Sequence, residues 1–165
     1  MQSIEAMARE LREHAAVGKR EECLRLLGEM TKIVRQEPTL NMAMMEEFYG
    51  CMRVVATWFP QIWPAALEIA RAVHGARPDA NSAARMIEAL RMSDQHTAAQ
   101  ELAFQSVHQF DVTPQLLVQT AAAYLVVGEE QPARKFLAAG RQNGCELAPM
   151  IRSEPTLHLL RPLLD

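Results

Sequence analysis

The chain has 165 residues, of which 49% are hydrophobic and 22% charged, with a formal net charge of −3. That length suits one domain, and the apolar fraction excludes a chain too polar to offset its own ordering entropy. The balance of 17 basic against 20 acidic residues excludes a global basic field that would draw the protein to nucleic acid or anionic lipid.

Ala (25) and Leu (18) outnumber Val, Ile and Thr (23 together), which favours helix because β-branched side chains lose rotamer freedom there. Apolar positions recur at helical spacing, as at Leu24 and Leu27, at Met86 and Leu90, and at Leu117 and Tyr124. No stretch alternates with a period of two. Breakers cut the chain at Gly18, Pro38, Phe59 to Pro64, Gly75 to Pro78, Asp94, Asp111 to Pro114, Gly128, Gly144 to Pro149, and Ser153 to Pro155. Helices are therefore predicted over 3–16, 19–35, 40–57, 62–74, 80–92, 96–110, 114–127, 131–143 and 155–161. Thr113 is placed to cap the helix that Pro114 opens, and Ser153 to do the same ahead of Pro155. Gly144 is placed to end its helix in a left-handed conformation. The chain reads as all-α.

Little catalytic chemistry stands out. Cys23, Cys51 and Cys145 are far apart and odd in number, which argues against a disulfide framework or zinc site and for a reducing compartment. His14, His74, His96, His108 and His158 form no metal-binding spacing, although His74 and His108 both fall late in their predicted helices. Glu21 and Glu22, like Glu129 and Glu130, suit the first turn of a helix, where the dipole favours acids. Cys51, in a helix rich in methionine (Met42, Met44, Met45, Met52), is expected in the core rather than as a nucleophile. The expectation is a protein without catalysis, cofactor or metal. The longest apolar run, Ala121 to Val127, falls far short of the roughly 20 residues that cross a bilayer. No apolar leader opens the chain, so it is expected to be cytoplasmic, or in a reducing organelle matrix if a transit peptide was removed.

The spacing of the breaks carries more information than the breaks. Asp94 recurs as Gly128, Ala99 as Ala133 and His74 as His108, all at one interval, and Ala66 precedes Ala99 by nearly the same. That interval, about 34 residues, is a period of stacked helix pairs. It predicts a single α-solenoid, with units 3–38, 39–78, 79–112 and 113–147 and a cap over 150–165.

Residues 114–147 resemble a tetratricopeptide repeat: Ala121 at a small site, Tyr124 at the aromatic site, Gly128 at the turn and Ala133 at the helix contact. Residues 80–113 match through Ile87, Leu90, Asp94 and Ala99, and residues 19–78 loosely, through Gly18, Cys23, Pro38 and Pro78. The closing 151–164 resembles the short acidic, Pro- and Leu-bearing tail that often ends such arrays. The motif's Trp is absent, and its second Ala site in the last unit is Gly140. The pentatricopeptide repeat, an RNA reader, is a close relative that Gly128 to Ala133 and Asn143 to Pro149 also resemble. Its base-facing positions would fall at Val118 or Gln119, and one Gln is not a code.

The resemblance implies a protein–protein interaction module: an adaptor, an assembly chaperone or a small subunit of a larger complex. The first helix of each pair would line a concave groove that holds a helical or extended partner segment. Val118, Ala122, Leu125 and Val126 would face it from one unit, and Glu88, Arg91 and Met92 from the unit before. The chain's own Leu157 to Leu164 could equally fill that groove as a cap. Trp58 and Trp63, flanking an off-period link, form a second candidate surface. A pentatricopeptide-like single-stranded RNA binder is the alternative, and self-association is left open.

Overall fold

The computed structural model describes residues 2–37 and 41–165; the break expected at Pro38 lies outside them. Among the described residues the chain is all-α, with no strand. Two compact units divide it, Met1–Ile69 and Ala70–Asp165.

The first unit holds α1 (Ile4–Ala16), α2 (Arg20–Gln36), α3 (Met42–Ala56) and a 3-10 turn, Pro60–Ile62. In α1, Ile4, Met7, Ala8 and Leu11 form one buried stripe, and in α2 Cys23, Leu26, Leu27 and Met30 form another. The Ser3 side chain caps α1 by accepting from the Ala6 N–H at 3.2 Å, and Asn41 caps α3 by accepting from Met44 at 2.9 Å. Phe48, Tyr49, Cys51, Met52, Val55 and Ala56 bury α3 against the other two. Helix α4 (Trp63–Ala76) then carries the chain across the boundary between the units.

The second unit adds α5 (Ala80–Met92), α6 (His96–Gln109), α7 (Pro114–Val126), α8 (Glu130–Gln142), α9 (Leu147–Ser153) and a C-terminal 3-10 segment, Pro155–Leu163. Helix α7 starts and ends one full interval after α5, and α8 starts one interval after α6. Their caps keep the period. Asp79 accepts from the Ser82 N–H at 2.7 Å ahead of α5, and Thr113 from the Leu116 N–H at 3.2 Å ahead of α7. The turns keep it too: Asp94 (φ 60°) and Gly128 (φ 86°) are both left-handed. Across these turns Gln95 N–H donates to Leu90 O at 2.9 Å, and Glu129 N–H to Tyr124 O at 3.0 Å. That bond is the six-to-one closure of a Schellman motif. Asp94 meets the left-handed requirement as an Asx residue, where Gly128 meets it without a Cβ.

Helix α7 is the centre of this unit. Leu116 through Ala123 are all buried, because α5, α6, α8, α9 and the C-terminal segment surround the helix. The small sites Ala99 and Ala133 are fully enclosed. At Gly140 an added Cβ would stand 2.6 Å from Leu147 Cδ1 and 3.1 Å from Leu117 Cδ1. The close approach of α9 explains why a glycine replaces the alanine expected there.

Three local expectations are corrected. The stretch from Gly144 to Pro149 reads as a break, yet α9 begins at Leu147. Pro149 falls in its first turn, where its missing N–H would have no intrahelical partner in any case. Ser153 caps nothing: it is the last residue of α9, and its hydroxyl donates back to Met150 O at 3.2 Å. The closing helix is 3-10 rather than α, and this changes its register. Three residues per turn align Leu157, Leu160 and Leu163 in a single stripe, and all three are buried.

Candidate functional site

The residues expected to line a groove fall into three groups in the structure. Val118 and Ala122 are buried in one apolar cluster with Leu137, Leu147, Ile151 and the stripe of Leu157, Leu160 and Leu163. They are not open to a partner, because the C-terminal segment lies on this face of α7. An acidic substitution at Val118 is therefore a core substitution. Leu125, Val126 and Met92 are half-buried, and Leu125 packs at the edge of the same cluster.

Glu88 and Arg91 are also buried, at 2% and 5% exposure, which corrects their placement on an exposed groove wall. Helix periodicity puts both on the α5 face that meets α7, and there they join Gln119 of α7 and Thr156 of the C-terminal segment. Arg91 Nη2 donates to Gln119 Oε1 at 3.2 Å, and Gln119 Nε2 donates to Glu88 Oε2 at 3.0 Å. Thr156 Oγ1 donates to the same carboxylate oxygen at 2.7 Å, across 68 positions of sequence. A carboxylate costs several kcal/mol to take out of water unless it is hydrogen-bonded, and the bonds from Gln119 and Thr156 offset part of that cost for Glu88. The segment is fastened at its other end as well. Arg141 Nη2 donates to the main-chain carbonyls of Leu163 at 3.3 Å and Leu164 at 3.2 Å. The segment thus meets the second unit with a hydroxyl, three leucines and two main-chain carbonyls.

The second candidate surface does not hold together. Trp63 is buried in α4 with Ala66 and Leu67, so it fills core rather than offering a surface. Trp58 is half-exposed, with the Arg20 guanidinium 5.5 Å above its ring. Among the thiols, Cys23 and Cys51 are buried, and burial pushes both upward, Cys51 to about 11. Thiols so protonated are poor nucleophiles. His74 and His108 differ in setting. His74 Nδ1 lies 2.8 Å from Ser82 Oγ, whereas His108 is exposed and bonds Phe104 O at 2.7 Å. No group of three or more His, Cys, Asp or Glu among the described residues is placed to hold a metal ion, and no helix among them is long and apolar enough to cross a membrane.

Sequence reasoning named Glu88 and Arg91 as groove-facing and did not name Thr156. The available signal was the three-residue spacing of Leu157, Leu160 and Leu163, which fits a 3-10 stripe better than an α-helical face. Comparison with protein-family models, with curated proteins and with solved structures returns no match.

Proposed function

We propose that the chain is a non-catalytic protein–protein interaction module, built as a right-handed α-solenoid of tetratricopeptide-like helix pairs. The regular recurrence of caps, left-handed turns and enclosed alanines supports the repeat reading. So does the order of contacts, in which α5 meets both α6 and α7, and α7 meets α8. The observation that carries the functional reading is the leucine-bearing segment seated on Val118 and Ala122. A face that holds such a segment from its own chain has the shape and polarity to hold one from a partner.

Photo-crosslinkers placed singly at Met92 and Val126, at the half-buried rim, test the reading. The expected outcome is crosslinks to polypeptide from these positions and none from an exposed control position such as Lys135. A micromolar, salt-sensitive shift of mixed single-stranded RNA would overturn it in favour of RNA binding.

A further inference from the structure

The C-terminal segment is held in a way that a plain end cap does not need. We infer that Pro155–Leu163 is a displaceable internal ligand. The surface beneath it receives a partner segment in which a hydroxyl residue is followed directly by leucines at three-residue spacing. This rests on the interaction-module reading above and names the chemistry of the partner.

Four observations lead there. The apolar part of the site is a row of three leucine positions against Val118, Ala122 and Leu137, which an end cap would also require. The polar part is different. Glu88 is buried and held by Gln119, and the C-terminal segment meets it with a hydroxyl, that of Thr156. An apolar residue at position 88 would seal the end of the unit without the desolvation cost, so the carboxylate serves selection rather than closure. A buried acceptor of this kind discriminates against a segment lacking the hydroxyl, because that segment withdraws one of the carboxylate's donors. Arg141 reads only main-chain carbonyls of the segment, so it accepts any segment of the same backbone shape.

The fourth observation concerns how the segment is attached. It follows α9 through Glu154, whose backbone is extended (φ −98°, ψ 112°), and Arg161 Nη2 also donates to Arg152 O of α9 at 3.0 Å. Nine residues are a long run for a 3-10 helix, whose hydrogen bonds are poorly aligned, and Pro162 removes one donor from it. The segment therefore depends on its side-chain contacts to stay seated, and a competitor offering the same contacts can replace it.

The test uses the full chain and a fluorescent peptide with the sequence of residues 153–165. In the Leu160→Asp chain the internal segment cannot seat, so this variant is expected to bind the peptide at least tenfold more tightly than the unaltered chain. A peptide carrying Thr156→Val should bind the Leu160→Asp chain at least tenfold more weakly. Equal binding to both chains, no binding to either, or loss of helical circular dichroism in Leu160→Asp would overturn the inference. Amide exchange on the unaltered chain is an independent check. Amides of 157–164 should exchange at least tenfold faster than those of 117–123; equal protection makes the segment core, and the inference fails. A dimer that the peptide dissolves would assign the occupant to a second copy and overturn the partner assignment. Crosslinking to RNA at the rim would sink the module reading while leaving the exchange result intact, so the two failures are distinguishable.

Discussion

The two compact units solve burial differently. Among the described residues, every buried Ser, Thr, Gln, Glu or Arg lies beyond Ala70: Ser82, Glu88, Arg91, Ser106, Gln119, Thr120 and Thr156. The unit ending at Ile69 buries aliphatic and aromatic side chains with Tyr49, Cys23 and Cys51, and none of those polar types among its described residues. An apolar core needs only the right volume and pattern, so a methionine-rich helix such as α3 can fill it adaptably. Buried polar groups demand fixed partners, and their presence marks where the fold specifies one arrangement. The period follows the same division. Beyond Ala70 the caps and turns repeat at one fixed interval, whereas Phe59 and the Pro60–Ile62 turn break it before α4.

The largest expected effect probes the apolar unit. Phe48→Ala should cost about 3–5 kcal/mol in urea unfolding, through the lost transfer free energy and the cavity it leaves. A cost under ~1 kcal/mol would mean that the methionines of α3 collapse into the space and that this core is looser than described.

Next come the matched sites of the periodic unit. Ala99→Leu and Ala133→Leu should each lower stability by about 1–3 kcal/mol, because a side chain is forced between helices that leave room for a methyl. The two values should agree closely if the sites are equivalent, and a silent Ala99→Leu would break the equivalence.

A smaller effect, with a pH signature, belongs to the cap of α5. Partial burial pushes the Asp79 carboxyl up, but the hydrogen bonds from Ser82, with Arg77 and the Asn81 backbone, outweigh it and hold it below the usual carboxylate range. A carboxyl depressed on folding contributes its stability above its unfolded value, about 3.9, and loses it as pH falls through the folded one. Asp79→Ala should therefore cost about 1 kcal/mol at pH 7. The gap to the unaltered chain should narrow below about pH 4 in paired melts, modestly, since solvent reaches this carboxylate.

Thr120→Val should go the other way. Its hydroxyl is fully buried with no hydrogen-bond partner among the described residues, so removing it should raise stability by up to about 1 kcal/mol. A loss would show that the hydroxyl is satisfied in solution and that α7 is less tightly sealed. The smallest perturbation is chemical. At pH 7.5 a thiol reagent should label half-buried Cys145 first and leave Cys51 unmodified until the chain unfolds, which mass spectrometry reads directly.

Helices and turns were legible in the sequence because their causes are local. Thr113 caps, Pro114 starts, and Asp94, Gly128 and Gly144 turn left-handed, each within a few residues of the hydrogen bonds they satisfy. The enclosure of Ala99 and Ala133 was legible because small residues recur there at one interval within apolar helical stretches. What covers the face of α7 was not. Val118 and Ala122 carry the same apolar signal whether a partner or the chain's own end lies on them. Glu88 reads as a surface charge until Thr156, 68 residues away, donates to it. Sequence by itself determined the helical class, the caps and the recurring turns of the second unit, since those follow from short-range sterics and hydrogen bonding. Only the tertiary structure decided that Leu157, Leu160 and Leu163 fall in one stripe and that a carboxylate waits beneath them. Such contacts depend on the relative placement of distant segments, which no local pattern encodes.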